Sequence, residues 1–260
     1  MSLFTFIIKR AVPIPKLLNY NSYAFVGAHP DDIEVGCGST VARLTSMGKR
    51  VCFIIATDGG YGTLDPSLDK ETLIKIRQEE AVKAAALLGV DDVRFLGFPD
   101  GGEYDMRRLK DKIAIELAKF KPDIIFTIDN HVKSEIHPDH IMTGRATEIA
   151  MLYSSFPLMM RDLGIEETAI PKGIAYYYTD KPNSYVKFNK QMLNMRFEAL
   201  ATHQSQFLCD EEMKKNFKLL KIVIRLMAKR YGIRRLYKYA DAYRVLSIMH
   251  THCLADASEF

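Results

Sequence analysis

The chain has 260 residues, with 48% hydrophobic and 26% charged residues and a formal charge of +4. That composition suits an ordinary globular protein with a real core and argues against a disordered chain. No apolar run approaches the ~20 residues that a membrane-spanning helix requires. The apolar stretch Leu3–Ile8 is followed by Lys9 and Arg10, the reverse of a signal peptide's charge order, so an N-terminal strand or arm is expected there.

The four cysteines, Cys37, Cys52, Cys209 and Cys253, form no Cys-x-x-Cys pair. Neither a zinc ribbon nor a disulfide framework is suggested, and a reducing, cytoplasmic setting is expected. From Met213 to Ala240 there are ten Lys and Arg and no acid, so the rest of the chain is net acidic. A solvated helix face is the first reading of that block. Contact with a membrane surface is the lesser one. No nucleic-acid partner is expected.

Strand and helix patterns alternate along the chain. Tyr23–Ala28 reads as a strand and Gly38–Met47 as a helix ended by Gly48. Val51–Ala56 is a continuous apolar run, as expected for a strand buried on both faces. Residues 58–63 are too glycine-rich for regular structure and form a loop. Glu71–Leu88 keeps helical apolar spacing and is closed by Gly89. Val93–Leu96 is a short strand, and Leu109–Phe120 a helix. Asp123–Ile128 is another buried strand. Asn130–Asp139 is a loop, because Pro138 disfavours helix at His137.

His140–Leu152 is then a helix and Gly173–Tyr178 a strand; Gln191–Gln206 and Glu211–Tyr231 are helices. In the last, Met213, Phe217, Leu220, Ile224, Met227 and Tyr231 make an apolar seam opposite the cations. Residues 154–184 are the best place for an insertion or a substrate-covering loop. This alternation predicts an α/β fold with a mostly parallel sheet and helices on both faces. It is read as a single domain over residues 1–260, with 211–250 a basic, largely helical extension.

Two clusters carry chemistry, His29-Pro30-Asp31-Asp32 and His137-Pro138-Asp139-His140, each following a strand. In an open α/β sheet, ligands bind beyond the carboxyl ends of the strands. A catalytic zinc takes three protein ligands of nitrogen and oxygen type and keeps a position for water. Histidine and aspartate from the first cluster with a histidine from the second supply such a set. Asp31 and Asp32 point differently from one turn, so one can bind metal while the other faces water. Gly36-x-Gly38 lacks the third glycine of a dinucleotide loop and is expected to allow close helix–sheet packing instead.

The two clusters resemble the signatures of the LmbE/PIG-L family of zinc-dependent N-deacetylases. That family acts on N-acetylglucosaminyl-phosphatidylinositol, on precursors of mycothiol and bacillithiol, and on diacetylchitobiose. The resemblance continues through Thr57-Asp58-Gly59, Arg77-Gln78-Glu79-Glu80-Ala81, Leu88-Gly89-Val90, Phe95–Gly101 and His203-x-Ser205-Gln206, over roughly residues 23 to 210. It implies a Rossmann-like sheet and one Zn²⁺ per chain, with Fe²⁺ the other candidate. It implies that His29, Asp32 and His140 ligate the metal and that Asp31 is the general base. His137 would stabilise the oxyanion or act as acid, Asp139 would orient a histidine, and Arg77 and Asp100 would hold sugar hydroxyls. Gly60 stands where many members have Glu, and Ser39 where many have a second Gly.

The expected activity is hydrolysis of an N-acetyl group from a GlcNAc-type sugar or conjugate, releasing acetate and a free amine. The expected partner is thus a small N-acetylated amino sugar, with a homo-oligomer compatible. Two rivals are a non-catalytic sugar- or metal-binding protein on the same scaffold and a different metallohydrolase such as a phosphoesterase. A two-metal phosphoesterase needs more bridging ligands than the sequence supplies.

Overall fold

The computed structural model describes residues 10–252, so the expectation for Leu3–Ile8 and the position of Cys253 lie outside the described residues. The chain builds β1 (Ser22–Gly27), α1 (Asp32–Ser46), β2 (Arg50–Thr57), α2 (Lys70–Leu87) and β3 (Asp92–Phe98). It continues with α3 (Met106–Phe120), β4 (Ile124–Ile128), α4 (Pro138–Tyr153), α5 (Pro157–Asp162), β5 (Gly173–Tyr177) and β6 (Ser184–Phe188). It closes with α6 (Lys190–Thr202), α7 (Gln204–Phe207), α8 (Glu211–Ile233), β7 (Tyr239–Ser247) and α9 (Ile248–His252).

Among the described residues, seven strands lie in the order β3-β2-β1-β4-β5-β7-β6. The pairs β1–β2, β2–β3, β1–β4 and β4–β5 are parallel, while β7 runs antiparallel to both β5 and β6. Strand order reverses between β1 and β4, which opens a crevice at their carboxyl ends.

Alternate strand residues feed opposite layers. Tyr23 and Phe25 of β1 join Phe53, Phe126 and Tyr243 beneath α1 and α2, with Phe25 and Phe126 stacked at 4.3 Å. Ala24 and Val26 join Ile54 and Ile125 against Leu109, Ile113 and Ala146 of α3 and α4. Both layers meet the central strands, so the strand ends that carry the chemistry rest on a packed base. Truncating fully buried Phe25 to Ala is expected to cost about 3–5 kcal/mol.

Two departures from the sequence reading concern the C-terminal part. The stretch 211–250 is not helical throughout, since Tyr239–Ser247 is a strand inside the sheet. On α8, Phe217 and Ile224 of the predicted seam are buried and Met213, Leu220 and Tyr231 are half-buried, but Met227, also of the seam, is exposed, as are Leu219, Ile222, Leu226 and Ile233 among the cations. No helix among the described residues is long and apolar enough to cross a membrane.

Candidate active site

Asp69, Asp105, Asn189 and Asp210 cap α2, α3, α6 and α8 by accepting a bond from the first-turn backbone. At α1 and α4 the N-cap residues are Asp31 and His137, and neither side chain caps its helix. Both are left available at the crevice between β1 and β4. Asp31 also has φ 133° and ψ −24°, a backbone that non-glycine residues rarely adopt.

Asp32 opens α1. Its Oδ2 accepts bonds from the backbone N–H of Ala28 (3.1 Å) and His29 (2.8 Å), folding the turn back on itself. Its carboxylate lies between two imidazoles, with Oδ2 3.4 Å from His29 Nδ1 and Oδ1 3.3 Å from His140 Nε2. Ligand atoms of His29, Asp32 and His140 all lie within 4.8 Å of one another. Bonds of ~2.0–2.2 Å to a tetrahedral ion place neighbouring ligand atoms roughly 3.3–3.6 Å apart, and each oxygen of Asp32 lies at such a separation from one imidazole nitrogen.

Carboxylates stand behind both histidines. His29 Nε2 is 3.2 Å from Asp100 Oδ1 and 3.2 Å from Asp139 Oδ2. His140 Nδ1 is 2.9 Å from Glu135 Oε2, and Glu135 Oε1 also accepts the His137 backbone N–H at 2.9 Å. Carboxylates behind metal-binding histidines fix ring orientation and strengthen the nitrogen as a ligand. Asp139 is fully buried, and its Oδ2 also accepts the Gly101 backbone N–H.

The crowd of acids controls protonation. Burial works against a charged His29, but Asp100, Asp139 and Asp32 outweigh it and push its pKa up to about 12. Burial likewise opposes a charged His140, yet Asp32 and Glu135 push it up to about 9. Asp32 is held well below the usual carboxylate range, because its two histidines outweigh its burial. Burial pushes Asp31 up to about 6, with the Arg77 guanidinium opposing. His137 is lowered by burial and by the neighbouring His29 and His140. A divalent cation suits this donor set, because it can replace the protons that the acids otherwise hold on the histidines.

The structure thus gathers His29, Asp31, Asp32, His137, Asp139 and His140 at one place. His137 is the open member, with 45% of its side chain exposed and its ring 4.7 Å from His29 and 4.8 Å from His140. Its Nδ1 is 3.8 Å from Asp139 Oδ2, so Asp139 sits closer to His29 than to His137.

Arg77 and Asp100 adjoin the site with protein partners. Arg77 is 3% exposed and donates to Gly59 O (2.8 Å) and Pro30 O (3.0 Å), with Asp31 Oδ2 at 3.4 Å. It therefore fastens the Asp31 turn. Asp100 uses one oxygen on His29 and the other on the Tyr61 backbone N–H at 3.1 Å. Asp58 stands one step behind, its Oδ1 accepting from the backbone N–H of Gly60 and Asp100.

Sequence reasoning missed Glu135, an isolated loop acid with no spacing signal. It also missed the Tyr178 hydroxyl, which donates to Asp32 O at 3.2 Å. Further back, Arg196 of α6 donates to Glu34 O and Val35 O of α1 and pairs with Asp241 of β7 at 3.1 Å. Asp241 Oδ2 in turn accepts from Thr40 N (3.1 Å) and Thr40 Oγ1 (2.8 Å). Gly36 and Gly38 lie inside α1, where a Cβ would strike Tyr177 and Arg196 respectively. They serve close packing, as expected, and form no phosphate loop.

The chain is similar to several known proteins. The family model described as PIG-L: GlcNAc-PI de-N-acetylase matches residues 24–151. Diacetylchitobiose deacetylase of Thermococcus kodakarensis is 31% identical over 227 residues, covering 86% of this chain and 82% of that protein. A probable N-acetyl-alpha-D-glucosaminyl L-malate deacetylase 2 of Bacillus cereus is 30% identical over 183 residues, covering 68% of this chain and 80% of that protein. Among solved structures, the N,N'-diacetylchitobiose deacetylase from Pyrococcus horikoshii, complexed with its inhibitor MPG, superimposes with a TM-score of 0.88 at 27% identity. It covers 99% of this chain and 96% of its own. With its clusters, its strand order and this extent of similarity, the chain belongs to the PIG-L GlcNAc-PI de-N-acetylase family.

Proposed function

We propose that this chain is a metal-dependent amidohydrolase that removes the N-acetyl group from a GlcNAc-type sugar or GlcNAc conjugate. The observation that carries this reading is the His29–Asp32–His140 triad with uncapped Asp31 beside it. Zinc is the proposed metal, because two imidazoles and one carboxylate form a donor set typical of catalytic zinc. Ferrous iron uses the same ligand types, and metal analysis of the purified protein separates the two.

His29, Asp32 and His140 would hold the zinc, which would supply Lewis acidity for activating water and polarising the acetamide carbonyl. Asp31 takes the proton from the attacking water, and its pKa near the working range suits a base that must also release that proton. His137, open to the substrate side, is placed to donate a hydrogen bond to the developing oxyanion. The leaving amine then takes a proton from Asp31 or His137. Asp139 and Asp100 orient His29, Glu135 orients His140, and Arg77 holds the Asp31 turn. Arg77 and Asp100 adjoin the site, and holding sugar hydroxyls is proposed as their second task.

A second candidate grouping, His29, His137 and Asp139, uses His29 again. Two metals at once would require both nitrogens of that ring, which argues against a two-metal phosphoesterase. One metal per chain is expected by elemental analysis.

The test is acetate release from N-acetylglucosamine, diacetylchitobiose and GlcNAc linked to malate or inositol. Metal-loaded protein that binds these sugars and releases no acetate would establish the non-catalytic rival instead. The exposed apolar residues of α8 support a homo-oligomer, which light scattering over a concentration series checks.

A further inference from the structure

A cavity of about 660 Å³ lies where the end of α1 meets the junction of β6 with α6 and the turn from α8 into β7. Its volume falls among those of small-molecule sites, roughly 300–1,000 Å³. None of the roles assigned above uses it. Asp32 opens α1 at the crevice, whereas Arg43, Ser46 and Met47 line this cavity from the other end of that helix. At about 1.5 Å per residue, Arg43 stands roughly 16 Å along α1 from Asp32.

Three cations share the lining, Arg43, Lys187 and Lys238, and no Asp or Glu among the described residues does. The register of β6 on β7 sets Lys187 opposite Ala240 and Phe188 opposite Tyr239. Lys238, the next residue, therefore stands diagonally across from Lys187 on the same face. Arg43 is drawn to the same place, because its Nη1 donates to Lys187 O. Burial lowers the Arg43 guanidinium from its ordinary value, and the opposing influence is Tyr237 rather than a carboxylate. Gathering like charges without a counter-charge costs folding energy that a bound anion offsets.

Lysine on an edge strand often serves to block strand pairing, and β6 is an edge. That task calls neither for the half-buried Arg43 on a helix nor for the apolar wall between the cations. Phe188 is buried and stacks on Tyr239 with ring centres 6.0 Å apart, and Met192 and Tyr237 extend the wall. Lys187 Nζ lies 5.1 Å from the centre of the Tyr237 ring, which holds its charge at the cavity. Asn189, also in the lining, caps the 13-residue α6 by accepting the Met192 N–H at 2.9 Å, so the positive end of that helix faces the same rim.

The ligand must answer both features. Phosphate oxygens suit guanidinium and ammonium donors, and two linked phosphates reach cations that come from separate elements. An attached ring suits the tyrosine and methionine surface. We infer that this cavity binds an organic diphosphate ester whose ring lies on the apolar wall, a nucleoside diphosphate being its simplest form. The inference goes beyond the deacetylase reading and does not depend on it. The ligand is not the substrate, because the cavity and the metal triad lie at opposite ends of α1.

The experiment titrates zinc-loaded protein with ADP, pyrophosphate and adenosine by calorimetry at fixed salt. ADP is expected to bind at least tenfold more tightly than either part alone. Arg43→Gln, and Lys187→Gln combined with Lys238→Gln, are each expected to weaken ADP about tenfold. Tyr237→Ala is expected to weaken ADP and leave pyrophosphate unchanged. Lys187 and Lys238 are exposed, so the double variant still reads the site if Arg43→Gln fails to fold. Lys215→Gln combined with Lys218→Gln, on α8 outside the lining, removes the same charge and should leave ADP affinity unaltered. Acetate release should be the same in all variants. Absence of ADP binding, ADP no tighter than pyrophosphate, or an affinity that the cavity variants do not lower overturns the site. An equal loss in the α8 variant also overturns it, because general charge attraction then accounts for the binding.

Discussion

Asp31 holds a backbone conformation that costs non-glycine residues about 1–3 kcal/mol, and it does so without capping its helix. Arg77, bonded to Pro30 O, and Asp32, which pulls the Ala28 and His29 amides inward, keep the turn in place. The strain aims the carboxylate away from the helix terminus it would ordinarily serve. Asp31→Gly is therefore expected to lose turnover while raising unfolding stability by about 1 kcal/mol, the strain relieved less the entropy that glycine adds to the unfolded chain. Urea titration of the metal-free protein checks this, and a less stable variant contradicts it. Asp31→Asn keeps shape and metal but loses the base, so turnover should fall about 10²- to 10⁴-fold with stoichiometry unchanged. Full activity in metal-loaded Asp31→Asn would remove the base assignment. For Glu135→Gln, which weakens the support of His140, metal affinity should drop about 10- to 100-fold in a competition titration with a chelating dye.

At the scale of elements, the parts legible in the sequence were those whose burial is uniform. β1, β2 and β4 are nearly unbroken apolar runs because both faces are covered, α2 keeps helical spacing up to Gly89, and α8 keeps part of its apolar seam. β7 was illegible because it carries Asp241 and Arg244 into the interior, where long-range partners satisfy Asp241 and no local pattern announces them. α1 begins at Asp32, six residues before Gly38, because Gly36 and Gly38 look like loop residues until Tyr177 and Arg196 are seen pressing on them. In the site, the paired His-Pro-Asp clusters were readable, whereas Glu135 and the His29 contact of Asp100 depend on loops brought together only by the sheet. Arg196 joins α6, α1 and β7 through one side chain. Arg196→Met leaves Asp241 buried without its cation and is expected to lower stability by about 3–5 kcal/mol. Because Arg196 also holds the helix that begins at Asp32, metal affinity should fall along with the melting temperature. Unaltered metal affinity in the folded variant would confine Arg196 to a structural role.

Across the molecule, charge is segregated, with acids converging on the crevice and a block of cations on and after α8. Both histidine pKa values are raised in the metal-free site, His29 to about 12 and His140 to about 9. Each ring must give up its proton to ligate, so metal binding at pH 7 should release protons, and apparent affinity should rise with pH up to those values. Calorimetry in buffers of differing ionisation enthalpy reads this directly. Heat independent of the buffer would show that the histidines are already neutral.

The placement of β7 also bears on how the chain is made. Last in sequence of the strands among the described residues, it fills the gap between β5 and β6 and delivers Asp241 to α1. Until residues 239–247 have left the ribosome, the nascent sheet ends at an unpaired edge of β5, and β6 has no strand beside it. Synthesis through Ser247 must therefore precede closure of the sheet. The interval before closure is the period in which the half-made protein is most exposed to aggregation and most dependent on chaperones.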